Sequence, residues 1–354
     1  MKLREQVGQL IIAGVEGPVL TPLERAWLKL IQPGGVILFR RNIEETAQVT
    51  ALLRETTEIA GAPLFRCVDL EGGLVDRLRD LIAPMPSAAA VFATGKRTNY
   101  VKHGALIGRD AKALGFNTVF APVLDLGLPV SAGVMRTRVV SADPQAVTEY
   151  ALAFVEGLES EGILGCGKHF PGLGGGTLDS HESLPLIERT WEELWREDLA
   201  VFRALAPRLP LMMVAHAAYP MIKDQTPASI SPYWITTVLK KRVGFAGLVI
   251  SDDMEMGGIL TQASMEEAAV QAIAAGTDVI EICKDPSLVL RAYEALLAEA
   301  EQSASFRRRV EAAAQRVVEH KGRYLDAAMP RTASAAQTQK LRASVEKFAR
   351  DIAA

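Results

Sequence analysis

Eight short apolar runs, spaced by longer amphipathic segments, limit what this chain can fold into. The runs are Gln9–Gly14, Gly35–Phe39, Leu64–Asp69, Thr118–Pro122, Gly162–Lys168, Leu211–His216, Gly247–Asp252 and Asp278–Cys283. Each has the length of a strand buried on both faces, and several are rich in Val, Ile and Leu. Helical spacing fills most of the intervals: Thr46–Ile59, Arg97–Leu114, Ala146–Glu161, Pro232–Arg242, Ser264–Ala275 and Pro286–Glu301. Thr190 followed by Glu193 is a capping box that starts a further helix over Trp191–Leu205. Strands alternating with helices give a parallel sheet, and eight such units predict an α/β fold of the TIM-type (β/α)8 class in a single domain. An open doubly wound sheet is the rival. It expects a Gly-rich turn after its first strand, and Ile11-Ile12-Ala13-Gly14-Val15 lacks that spacing.

A barrel makes a prediction about polar residues, because its active site lies at the C-terminal ends of its strands. The third run ends in Asp69-Leu70-Glu71-Gly72-Gly73, with Arg77 close behind. The fourth leads to Asp125, and the loop after it carries Arg136 and Arg138. The fifth ends in Lys168-His169, the sixth in His216, and the seventh in Ser251-Asp252-Asp253. Neighbouring residues of a strand face opposite ways, so only one of Asp252 and Asp253 is expected in the pocket.

The stretch Gly165–Pro185 is the densest in chemistry. It holds two of the chain's five histidines, and Pro171-Gly172-Leu173-Gly174-Gly175-Gly176 reads as a loop built to bend or move. That loop delivers Asp179 and His181. A carboxylate two residues from an imidazole can orient the ring and tune its proton affinity, as general acid–base chemistry needs; an Asx-type turn contact is the plain alternative.

Composition closes off other classes. The 354 residues are 49% hydrophobic, enough for a large core, and the net charge of −3 offers no footprint for nucleic acid. Arg307-Arg308-Arg309 reads as a solvated helix face. The three cysteines are Cys67, Cys166 and Cys283. They are few and scattered, which suits a reducing, cytoplasmic setting better than a disulfide framework. No window approaches the ~20 apolar residues of a membrane span. Residues 1–326 form the predicted barrel domain. Ala327–Gln339 reads as a linker, and Lys340–Ile352 as a helix that packs on the barrel or meets another copy, so 327–354 is a tail.

The motifs together resemble glycoside hydrolase family 3, specifically its single-domain bacterial β-N-acetylglucosaminidases of peptidoglycan recycling. The resemblance runs from Gln6-Val7-Gly8-Gln9 to about Cys283. It rests on Gly34–Phe39, Val68-Asp69-Leu70-Glu71-Gly72-Gly73, Ala121–Asp125, Lys168-His169-Phe170-Pro171-Gly172, Asp179-Ser180-His181 and Ser251-Asp252-Asp253-Met254. It implies Asp252 as the nucleophile and His181 as the acid/base, oriented by Asp179. It further implies Asp69, Arg77, Arg138, Lys168 and His169 as residues holding N-acetylglucosamine, and His216 as a pocket-lining histidine. The implied partner is a carbohydrate, an N-acetylglucosamine-containing muropeptide or oligosaccharide. No cofactor, metal, nucleic acid or membrane is called for, and the chain is expected as a monomer or weak homo-oligomer. This sequence departs from the family pattern at Leu173-Gly174-Gly175-Gly176, where the usual run is His-Gly-Asp-Thr, and at Leu74, where the usual residue is arginine.

Three rival activities share these residues. Phosphorolysis differs only in what resolves a glycosyl ester. A metal-dependent hydrolase would use His169, His181, His216, Asp69 and Asp252 as ligands, but the His-x-His pair common in barrel metal sites is missing. A sugar-binding protein without catalysis would have no need of both Asp252 and His181.

Overall fold

The structure is a computed structural model and describes residues 1–178, 183–222, 224, 226–325 and 331–353. Asp179 and His181 lie outside the described residues. Each predicted run coincides with a strand, two of which extend past the run's end by one or two residues: β1 (Ile11–Gly14), β2 (Gly35–Leu38), β3 (Phe65–Val68), β4 (Thr118–Val119), β5 (Leu164–Phe170), β6 (Leu211–Val214), β7 (Leu248–Asp253) and β8 (Val279–Ile282). They close in the order β1-β8-β7-β6-β5-β4-β3-β2, all parallel, with Ile11 opposite Ile280 at the seam. The expected (β/α)8 barrel is the observed one.

Strand alternation sorts the side chains. Ile12, Ile37, Phe65, Cys67, Phe120, Leu164, Cys166, Leu211, Met213, Leu248, Ile250 and Val279 pack together inside the barrel. Their neighbours in sequence, such as Ile11, Val36, Val68, Met212 and Val249, pack outward against the helices. The period of two is the pleat itself. All three cysteines are free and buried.

The helices differ from expectation in four places. The segment 191–205 is two helices, Trp191–Arg196 and Asp198–Leu205, broken at Glu197. Arg189, from the preceding loop, pairs there with Glu197 and with Asp198 at 3.0 Å, which holds the break. The helix at Tyr233–Val243 winds as a π-helix and buries Trp234, Ile235, Val238 and Leu239. Apolar residues at i, i+1, i+4 and i+5 suit either winding, so the sequence did not distinguish them. Arg309 is no solvated surface group. It donates to the carbonyls of Ile273, Gly276 and Thr277 and pairs with Asp278 at 3.1 Å. The predicted linker is too long at its C-terminal end, because the last helix starts at Ala335 rather than Lys340. Ser334 and Gln337 cap it reciprocally, the Gln337 amide donating to Ser334 Oγ and the Ser334 amide to Gln337 Oε1.

That last helix, Ala335–Ala353, buries Leu341, Val345 and Phe348 against the barrel's outer layer. Lys102, on the helix Arg97–Leu114, lies over the Phe348 ring and pairs with Asp351. A second helix, Ala304–Tyr324, closes the bottom of the barrel with Val317 and Lys321. No described helix is long and apolar enough to cross a membrane.

Candidate active site

The C-terminal mouth of the barrel holds a cavity lined by Asp69, Glu71, Arg77, Arg138, Lys168, His169, Asp252 and Asp253, together with Glu281 and Cys283. Four of these are one more turn of the interior alternation. Phe65 and Cys67 lead to Asp69, Leu164 and Cys166 to Lys168, and Leu248 and Ile250 to Asp252. Val279 leads to Glu281. The barrel's top layer is therefore polar where the layers beneath are apolar.

Two irregularities add residues that alternation alone would turn away. In β5, Gly167 pairs with Met212 but Phe170 pairs with Val214, so β5 carries one extra residue. In β7, Ile250 pairs with Val279 but Asp253 pairs with Glu281, again one extra. A bulge re-aims side chains beside it. His169 therefore joins Lys168 at the cavity, and Asp253 joins Asp252. The expectation that only one of the two aspartates lines the pocket is corrected by this bulge. After each one the parity flips: Phe170 and Met254 sit in the outer packing. The peptides Ala121–Pro122, Lys168–His169 and Phe170–Pro171 are cis.

A charge network fixes one side of the cavity. Lys168 Nζ lies 2.8 Å from Asp69 Oδ1 and 2.7 Å from Glu71 Oε1. Arg138 grips Glu71 with two parallel bonds of 2.8 Å, the fork geometry that guanidinium and carboxylate share. Arg77 stands 3.7 Å from Asp69 and over the Phe39 ring. Burial works against the Glu71 charge, yet Arg138 and Lys168 outweigh it and hold the carboxyl far below its usual range. Burial likewise opposes the Lys168 charge, and Asp69 and Glu71 outweigh it, so the ammonium is held more tightly than usual. Lys168 is thus a locked cation, unsuited to attack on a carbonyl carbon as a free amine.

His169 is oriented by Asp125. Its Nδ1 lies 2.6 Å from Asp125 Oδ2, and its Nε2 lies 3.3 Å from Arg138. The other Asp125 oxygen accepts from the Leu173 amide at 2.7 Å. Asp125 therefore ties the strand end to the glycine-rich loop. That loop is not the hinge its composition suggests. Leu173 is buried in the outer core, and Tyr219 donates to the Gly172 carbonyl. Gly172 has φ 128°, and a Cβ there would meet Asp198 Oδ1 at 2.7 Å; one on Gly174 would meet the Leu126 carbonyl at 2.5 Å. These glycines serve close packing rather than freedom.

Asp252 and Asp253 share a strand end but not a charge state. For Asp252, burial is outweighed by His169, His216, the Asp253 amide (2.9 Å) and Lys168, so its carboxyl sits below the usual range. For Asp253, burial prevails over the Glu255 amide, and the nearby Glu255 and Asp252 charges add to it, so its carboxyl is pushed up to about 7. His216 is fully buried and is not among the cavity-lining residues. It shares the outward parity of Met212 and Val214, donates to the Asp253 carbonyl at 2.9 Å and meets Ser229 at 2.7 Å, so it braces the wall from behind.

Glu71, Asp125 and Glu281 were not among the site residues predicted. The first two sit in motifs at strand ends, so position alone could have raised them. Glu281 lies inside a run that reads as apolar, Val279-Ile280-Glu281-Ile282, and only the β8 register exposes its inward parity. Burial and the Asp69 and Asp253 charges push its carboxyl well above the usual range. Among the described residues, no three His, Cys, Asp or Glu side chains form a group that could hold a metal ion.

Residues 2–320 match the glycosyl hydrolase family 3 N-terminal domain. A beta-hexosaminidase of Thioalkalivibrio sulfidiphilus is 36% identical over 293 residues, covering 81% of this chain and 84% of that protein. One from Pseudomonas aeruginosa is 36% identical over 287 residues, covering 81% and 86%. The solved family 3 β-N-acetylglucosaminidase of a Paenibacillus species superposes with a TM-score of 0.91 at 32% identity, covering 98% of this chain and 68% of that one. NagZ of Neisseria gonorrhoeae, solved with N-trifluoroacetyl-D-glucosamine, gives 0.73 at 30% identity, covering 87% and 98%. The chain belongs to glycosyl hydrolase family 3 and is a glycoside hydrolase.

Proposed function

We propose that the protein is a retaining β-N-acetylglucosaminidase that works through a covalent ester on Asp252. The observation that carries this reading is the split among the cavity's carboxyls. Asp69 and Glu71 are engaged by Lys168, Arg77 and Arg138, and Asp253 and Glu281 are pushed toward the protonated form. Among the described residues that line the cavity, Asp252 alone combines a lowered proton affinity with no ion pair to another described residue, which is the state a nucleophile needs. The relatives named above act as hexosaminidases by name, and one was solved with an N-acylated glucosamine derivative.

In the first step Asp252 attacks the anomeric carbon. The bond from that carbon to the leaving oxygen breaks, and His181, as imidazolium, gives its proton to that oxygen. In the second step neutral His181 takes a proton from water, the water oxygen attacks the same carbon, and the ester bond to Asp252 breaks. Two displacements on one carbon give net retention. Asp179 orients His181 and favours its charged form in the first step. Lys168, Arg77 and Arg138 offer donors to sugar hydroxyls, Asp69 accepts from them, and His169 is held for the same task by Asp125. His216 stabilises the strand end that presents Asp252.

The substrate we assign is a terminal N-acetylglucosamine on a peptidoglycan-derived muropeptide, the N-acetylglucosaminyl-1,6-anhydromuramyl peptide, in cytoplasmic cell-wall recycling. One chain supplies every group named, so a second subunit is not required. The test is hydrolysis of an aryl N-acetyl-β-glucosaminide by the wild type, Asp252→Ala and His181→Ala, each with and without phosphate. Both variants are expected to lose nearly all turnover, and phosphate to leave the product unchanged. Normal turnover by the Asp252 variant, or a sugar phosphate as product, contradicts the proposal.

A further inference from the structure

Glu281 is an acid where the barrel's alternation calls for an apolar side chain. The β8 register sets it beside Ile12 of β1 and Asp253 of β7. Ile12 and Val279 pack inside the barrel, and Met213, which packs with them, also lines the cavity. An aliphatic residue at 281 would continue that layer. The acid there lines the cavity and is 3% exposed. Its backbone is pinned on both sides. The Glu281 amide donates to Ser251 Oγ at 3.0 Å, and its carbonyl accepts from the Met254 amide at 2.8 Å.

The two carboxyl oxygens differ. Oε1 accepts from the Cys283 thiol at 2.9 Å. Oε2 is buried and has no hydrogen-bond partner among the described residues. The cations of the cavity are engaged elsewhere: Lys168 with Asp69 and Glu71, Arg138 with Glu71, and Arg77 with Asp69. Burial, joined by the charges of Asp69, Asp253 and Asp252, favours the neutral acid. A neutral carboxyl carries one O–H, and with Oε1 already accepting, that hydrogen belongs on Oε2. A buried donor without an acceptor costs stability. Such a group is understandable at the floor of a cavity, where an incoming molecule completes its hydrogen bonding.

We infer, resting on the function proposed above, that Glu281 determines specificity: its Oε2 donates a hydrogen bond to one ring hydroxyl of the sugar seated over Asp252. Asp69 and Lys168 hold the sugar from β3 and β5, and Glu281 holds it from β8, across the barrel. A hydroxyl suits the place because it accepts from the acid while donating to a neighbouring carboxylate. A sugar lacking that hydroxyl leaves the buried acid unpaired, and a site built this way rejects the analogue without the group.

The test uses the full chain. Inhibition constants are read for the methyl thioglycoside of N-acetylglucosamine, which resists hydrolysis, and for analogues each lacking one ring hydroxyl. The reporter is an aryl N-acetyl-β-glucosaminide, and thermal melts are run alongside. Glu281→Met is expected to weaken binding of the parent thioglycoside about tenfold or more. Glu281→Gln, which keeps a donor, is expected to stay within about threefold of wild type. The Met penalty should vanish on one analogue and persist on the others. Glu281→Met should also melt at or above the wild-type temperature, because it replaces an orphaned acid with an apolar side chain. Glu281→Leu serves in its place if the Met variant does not fold. An unweakened Met variant, a Gln variant as weak as it, or a penalty equal on every analogue overturns the inference. So does a Met variant that melts lower than wild type, which would give the acid a structural role. Each of these leaves the proposed function standing. A wild type that neither binds the thioglycoside nor hydrolyses the reporter overturns both.

Discussion

Lys168 and Lys321 stand at opposite ends of one barrel, 3% and 5% exposed, and they live under opposite rules. Lys168 is at the mouth, between Asp69 and Glu71, and its charge is secured. Lys321 is at the bottom, on the helix Ala304–Tyr324. Its Nζ lies 2.6 Å from Gln9 Oε1 and 5.5 Å from the centre of the Phe65 ring, and burial pushes its pKa down to about 7. The same side chain at the same depth is thus a fixed cation in one place and half neutral in the other. Burial is common to both, so the neighbouring carboxylates make the difference. A buried charge needs partners: the mouth gives Lys168 two carboxylates, whereas the bottom gives Lys321 the Gln9 amide oxygen.

The largest test of that contrast is Lys168→Met. It leaves Asp69 and Glu71 short of a cation in a buried site, a loss of about 3–5 kcal/mol in chemical denaturation, and it should cut kcat/KM for an aryl N-acetyl-β-glucosaminide by about 100-fold or more. A variant as stable and active as wild type would mean the network is ornamental.

Glu71→Gln probes the same network through pH. The folded-state carboxyl lies below its unfolded value, so its stabilisation is present above about pH 4.3 and is lost as pH falls below that. The variant should be about 3 kcal/mol less stable at pH 7, and the gap should narrow steadily in melts toward pH 3. A gap independent of pH would assign the loss to packing instead.

Lys321→Met should do the reverse. A lysine whose pKa is lowered in the folded state makes folding less favourable at low pH, and stability recovers as pH rises from about 7 toward the ordinary lysine range. Wild type should therefore gain on the variant by about 1.4 kcal/mol per pH unit between pH 7 and 10, with catalysis unchanged at any pH. Equal pH slopes for the two proteins would show that Lys321 is fully charged. The smallest effect belongs to Gln9→Leu, about 1 kcal/mol. Combined with Lys321→Met it should cost less than the two changes summed, since the partners share one bond.

The two ends also differed in what could be read from sequence. The mouth was legible because three plain regularities coincide there. Parallel strands show as apolar runs, interior parity continues to the next residue, and barrel sites lie at strand ends. Asp69, Lys168 and Asp252 follow from those alone. The pairing of Asp253 with Asp252 at the cavity was not legible, since a bulge is a matter of register between strands and leaves no mark on either sequence. His216 fell on the outward parity and so stands behind the wall. The bottom was nearly silent. In the helix Ala304–Tyr324, Lys321 occupies a position in the buried stripe of Phe306, Val310, Ala314 and Val317, and a lysine there reads as the end of the stripe rather than part of it. The glycine-rich run at 172–176 was legible as a loop, but a glycine used for close approach looks the same in sequence as one used for motion.

The proposed mechanism turns on one claim, that Asp252 becomes covalently glycosylated. The direct measurement is incubation of the wild type with a 5-fluoro N-acetylglucosaminyl donor, followed by proteolysis and mass mapping of the labelled peptide. The claim predicts about one label per chain, carried by Asp252 and absent from the Asp252→Ala protein. A label on Asp253 or any other residue, or an inactivated enzyme with no label at all, contradicts it.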